Sequence, residues 1–194
     1  MRLMQFDEIE QLVLQVPRIA ELRETQPAAY VARAAIWIDL LEQALVAAGA
    51  PEARRVDSLR GELVFVRHTV ARDMVETPMQ STRTRKLANE AALAMDKAAH
   101  IADTVLSEQR PRFTDAGKRI HVLVTKVRSQ GLVSKNGKAS PADQLVDIQH
   151  AIAARPDLAA EYAEIGTLMG PDDCRLLLTR ALTTPESAGV AYHR

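Results

Sequence analysis

Aromatic side chains make up only 4% of this 194-residue chain, and it has a single cysteine, Cys174. With so few rings, the core must be built from Ala, Leu, Val and Ile, which favour close helix packing over a sheet sandwich. One cysteine cannot close an intramolecular disulfide, so nothing points to an oxidising compartment. A membrane-spanning run is also missing, because the longest apolar segment, Ala28 to Ala48, is broken by Arg33, Asp39 and Glu42. At the N-terminus, "MRLMQFDEIEQLVLQVPR", acids interrupt the apolar residues before a signal-peptide core can form. Net charge is zero, with 25 basic and 25 acidic residues. A cytoplasmic protein without membrane contact is expected, and the excess of Arg over Lys with abundant Ala is associated with high-GC bacterial coding sequences.

What is present is helical periodicity. Val31, Ala34, Ile38, Leu41, Leu45 and Ala48 make one apolar stripe, widened by Ile36, Trp37 and Leu40 until that helix is apolar nearly all round. A helix of that kind belongs in the centre of a bundle, with Trp37 in the core. Val56, Leu59, Leu63, Val66 and Val70 form a second stripe. Leu87, Ala91, Ala94, Ala98, Ile101 and Val105 form a third, in a long helix over 78–109, and Phe113, Ala116, Ile120, Leu123 and Val127 form a fourth. The spacing predicts shorter helices over 141–154, 156–169 and 171–183.

Proline and glycine mark the seams, since proline lacks the N–H that a helix interior needs but suits the first turn. Thr77-Pro78 and Ser140-Pro141 read as an N-cap followed by a helix start, with Asp143 three residues after Ser140. Gly49-Ala-Pro51 and Gly170-Pro171 read as a helix stop followed by a start. No alternating strand or fixed-period repeat is visible. The expected fold is all-α: an antiparallel helical bundle of four to five long helices with a small C-terminal helical cap. Its expected organisation is a main bundle over 1–130, a polar loop at 131–140, short helices over 141–184 packing on the bundle, and a frayed tail at 185–194.

The segment "GLVSKNGKAS", Gly131 to Ser140, nearly spells a phosphate-binding loop. Five residues rather than four separate Gly131 from Gly137, and Ala139 stands where a magnesium-binding hydroxyl is required. It also resembles the wing of a winged-helix unit, but Ile120, Val122, Leu123, Val124 and Val127 make the preceding helix too apolar for a groove-reading face. A polar interhelical loop is the better reading.

Charge is unevenly distributed. From Arg110 to Lys138 there are eight basic residues, Arg110, Arg112, Lys118, Arg119, Lys126, Arg128, Lys135 and Lys138, against one acid, Asp115. The segments before Ala50 and after Lys138 are acidic. Arg112, Arg119 and Lys126 recur every seven residues along one flank of the apolar stripe, while His121 and Arg128 lie on the other. These edges can pair with acidic segments of the same chain or of a second copy. They can also dock an acidic protein or nucleic acid, because clustered positive charge speeds association with polyanions. Phe113 is the only aromatic residue in the segment and belongs to the core, which argues against single-strand recognition.

Catalytic chemistry is poorly represented. Asp96, His100 and Asp103, at i, i+4 and i+7, share a helix face that could bind a divalent ion, but a solvated carboxylate–imidazolium pair needs the same spacing. His68, His100 and His150 point away from the core stripes, and no Glu-x-x-His pair occurs on them. Cys174 follows Asp172 and Asp173 near a helix start, where the helix dipole and the acids act on the thiol in opposite directions. No cofactor is implied. The expectation is a non-enzymatic helical interaction protein, an adaptor or regulatory factor that contacts an acidic partner through 110–138. The alternatives are a nucleic-acid-associated regulatory protein using the same surface and a small helical metal protein or enzyme using Asp96, His100 and Asp103. The sequence also allows a homo-oligomer.

Overall fold

The computed structural model describes residues 1–73, 80–132 and 140–183, with the side chains of 66–73, 80, 81 and 141 outside the description. All regular structure among the described residues is helical: α1 (Leu3–Val13), α2 (Val16–Ala20), α3 (Leu22–Thr25), α4 (Pro27–Ala47), α5 (Ala53–Asp73), α6 (Gln80–Ser129), α7 (Pro141–Ala153), α8 (Pro156–Met169) and α9 (Pro171–Thr183). None of these helices is long and apolar enough to cross a membrane. The chain divides into two compact units, Met1–Gln109 and Arg110–Arg194, with the division inside α6 and well before the 131–140 segment. The expected cap at Thr77-Pro78 and the tail beyond Thr183 lie outside the described residues, as do the side chains of Val66, His68 and Val70.

The first unit is organised on α4, against which α1, α2, α3 and α5 pack. α1 buries Leu3, Phe6, Ile9 and Leu12, one residue per turn. It runs antiparallel to α4. At one end, the Gln5 side chain donates to the carbonyl of Ala47, and at the other the Trp37 indole donates to the carbonyl of Leu12 at 2.7 Å. Both acceptors lie in the last turn of a helix, where carbonyls lack an intrahelical partner.

α4 ends at Gly49, whose φ of +67° is the left-handed conformation that glycine adopts without strain. The Gly49 N–H bonds to the Val46 carbonyl and the Ala50 N–H to the Leu45 carbonyl, both at 2.9 Å, which is the Schellman arrangement. α5 then returns along α4. Arg60 reaches back to Glu42 at 3.2 Å and Asp39 at 3.8 Å while also holding Asp57 at 2.6 Å.

α4 is not enclosed on all sides as its composition suggests. Tyr30, Val31, Ala34, Trp37, Ile38, Leu41, Ala44 and Leu45 are buried, but across the helix Ile36 is 55% exposed and Leu40 44% exposed. The neighbouring helices cover one arc of α4, and the apolar residues beyond that arc face outward.

The third and fourth sequence stripes belong to one helix rather than two. α6 is continuous for 50 residues with Pro111 inside it. A proline in a helix interior forfeits one backbone hydrogen bond. Here, however, the buried positions stay in phase across it, from Ala102 and Leu106 to Phe113, Ala116, Ile120, Leu123 and Val127.

In the second unit, α7, α8 and α9 pack against one another. α7 starts where its sequence predicts: the Ser140 hydroxyl accepts from the Asp143 N–H, and the Asp143 carboxylate accepts from the Ser140 N–H, each at 3.2 Å. α8 ends at Gly170, with φ +91°, and Pro171 opens α9. Asp172 and Asp173 occupy the first turn of α9, where negative charge complements the helix dipole.

Candidate interaction surface

Three cations of the basic segment line one flank of α6, and the protein's own α8 engages each of them. Arg112, Arg119 and Lys126 stand seven residues apart, so they rise along one edge of the helix in steps of about 10.5 Å. Each meets the second unit's own α8. The Arg112 Nε–H donates to the Leu168 carbonyl at 2.9 Å. Arg119 Nη2 pairs with Glu164 at 2.8 Å and Lys126 Nζ with Glu161 at 2.7 Å. Partners fall in α8 as their counterparts rise in α6, so the two helices are antiparallel along this seam.

The far end of the seam is set by the start of α8. Arg155, the residue before that helix, forks onto both carboxylate oxygens of Asp157 at 3.1 Å and reaches Gln130 at 3.3 Å with its remaining amine. The hydrogen bonds from Arg155 hold the Asp157 carboxyl below the usual carboxylate range. Beneath the charged edge, Leu158, Ile165 and Met169 of α8 are buried, as are Phe113, Ile120, Leu123 and Val127 of α6. Apolar burial therefore holds α8 in place, and the ion pairs decorate a surface that stays wet. The side chain of Glu164 is 71% exposed and that of Lys126 47%, while their partners Arg119 and Glu161 are more covered, at 30% and 25%.

The other expected cations are placed differently. Lys118 is exposed on α6. Arg110 and Arg128 are half-buried and engaged. Lys135 and Lys138 lie outside the described residues. Arg112 also stacks its guanidinium 5.5 Å from the Phe113 ring centre, and that ring is buried as its place in the stripe implies. Glu161 and Glu164, the carboxylates that complete the seam, were not singled out by the sequence. Their spacing places them on one helix face within the acidic C-terminal segment, which is the signal that could have found them.

Asp96, His100 and Asp103 are each exposed on α6. No group of three His, Cys, Asp or Glu side chains positioned to hold a metal ion occurs among the described residues. Cys174 is buried, and burial followed by the nearby Asp173 charge pushes its thiol above the ordinary range. That combination keeps it protonated and shielded, the opposite of an activated nucleophile. A shallow hollow of about 450 Å³ at the α4–α5 turn is lined by Val46, Ala50, Pro51, Ala53 and Arg54, so it brings one ionisable group and no acid–base pair. The sequence matches no family model, and no curated protein and no solved structure is similar to the chain.

Proposed function

We propose that this is a non-enzymatic helical interaction protein, an adaptor or regulatory factor, that binds an acidic protein partner through the basic edge of α6. One observation carries the reading: Arg119 and Lys126 grip carboxylates presented by a neighbouring helix, each pair with one member largely open to water, Glu164 in one and Lys126 in the other. Exposed ion pairs contribute about 0–1 kcal/mol each, so a partner can take over such a cation at little cost. Arg112 adds a bond to a main-chain carbonyl, a group that any polypeptide offers.

The test is a titration of labelled poly-L-glutamate and labelled duplex DNA with the wild type and an Arg119→Glu/Lys126→Glu variant, at low and moderate salt. The reading expects polyglutamate binding that weakens with salt and is lost in the charge-reversed variant. Binding of the duplex with a steep salt dependence, and of polyglutamate not at all, would replace it with the nucleic-acid reading. No binding of either probe would leave the edge as an internal charge seam and sink the proposal.

A further inference from the structure

Resting on that reading, we infer that α8 is an internal stand-in for the partner: it occupies the basic edge of α6 in the manner of an acidic helix, and an incoming acidic polypeptide must displace its carboxylates. The seam has the attributes of a docking contact. The cations stand at a fixed spacing, an antiparallel helix offers Glu161 and Glu164 one turn apart, and the last cation, Arg112, holds a backbone carbonyl of the same helix.

Two features allow the exchange without unfolding. The Arg119–Glu164 pair lies at the rim, with Glu164 mostly in water and Glu161 more covered at 25% exposed, whereas α8 is anchored separately by Leu158, Ile165 and Met169. Glu164 can therefore swing away first, with Glu161 following, while the helix stays seated. A peptide replaces carboxylate with carboxylate at the same cations, and its main chain can offer the carbonyl that Arg112 now takes from Leu168. The occupant that fits is an acidic polypeptide. Its affinity is held down by competition in cis, as for any site whose binding-competent form is only part of the population.

The experiment compares poly-L-glutamate binding at low salt by the wild type, Glu161→Gln/Glu164→Gln, and Glu8→Gln/Glu62→Gln. The last variant has the same net charge change but uses exposed carboxylates of the first unit. Removing the internal competitor is expected to tighten binding by about five-fold, the equivalent of losing exposed ion pairs. The gain should vanish when Arg119→Gln/Lys126→Gln is added. Glu164→Gln alone should give a smaller gain, and far-UV circular dichroism should show every variant folded.

An equal gain in the Glu8/Glu62 variant would overturn the inference, since net charge alone would explain it. Wild-type binding with no gain on removing Glu161 and Glu164 would overturn the inference while leaving the proposed function standing. Failure of both wild type and variant to bind would overturn the two together.

Discussion

The indole N–H of Trp37, in the middle of α4, donates to the carbonyl of Leu12 in the last turn of α1 at 2.7 Å, and both residues are buried. The same carbonyl also accepts from the Gln15 N–H at 3.1 Å, so the indole adds a second bond to it and fixes how far α1 slides along α4. Trp37→Phe keeps most of the apolar volume and leaves the Leu12 carbonyl bonded to the Gln15 N–H, so it should cost about 0.5–1.5 kcal/mol, the net worth of one hydrogen bond. The urea midpoint should fall accordingly. Native Trp37 emission should be blue-shifted and move red on unfolding, and a red-shifted native spectrum would contradict the burial of α4 described above.

The two faces of α4 should respond oppositely to truncation. Ile38 is fully buried, and Ile38→Ala should cost about 2–5 kcal/mol through lost transfer energy and a residual cavity. Ile36, more than half exposed, should tolerate the same change within about 0.5 kcal/mol. Denaturant unfolding of the two single variants reads the difference directly. Equal losses would mean that Ile36 is covered in solution.

The seam between α6 and α8 should be weak energetically. A double-mutant cycle on Arg119 and Glu164, with Gln as the neutral partner at each position, should return a coupling of about 0.2–1 kcal/mol that shrinks as salt rises. Truncating Ile165 beneath it should cost several times more, because that side chain is fully buried. A coupling much larger than this would make the pair structural and slow to exchange.

Burial pushes Cys174, Tyr162 and Tyr30 all above their ordinary values. For Tyr162, the Cys174 charge adds to the rise and the Gln149 hydrogen bond opposes it. For Tyr30, Arg23 opposes the rise and Asp96 adds to it. In each case the unfolded chain loses its proton first. Their stabilising contribution is therefore complete below the unfolded values, about 8.5 for a thiol and about 10 for a phenol, and is lost as pH climbs through the higher folded values. Thermal unfolding should show stability falling on the alkaline side, less steeply in Cys174→Ala. Ellman's reagent should label Cys174 at pH 8 only as fast as the protein opens.

Much of the local structure was legible in the sequence because its causes are local. The three- and four-residue spacing of Leu, Ala, Val and Ile dictates helices. Ser140 with Asp143 dictates a cap, and Gly49 and Gly170 dictate stops, since few other residues take a positive φ without strain. Even the cationic edge at Arg112, Arg119 and Lys126 follows from a seven-residue spacing on a helix.

Other features depend on more than one segment at once. That α6 runs through Pro111 is one such feature, since the two apolar stripes on either side of the proline read equally well as two helices. Composition makes both faces of α4 apolar, and only the packed positions of α1 and α5 decide that Ile38 is covered and Ile36 is not. The sequence placed positive charge in one segment and negative charge in another, but attraction between charges depends on their separation in space. The antiparallel seating of α8, anchored by Leu158 and Ile165, brought Glu161 to Lys126 and Glu164 to Arg119. The helices and their charged edge were determined by sequence alone; what the edge touches was decided by the tertiary structure.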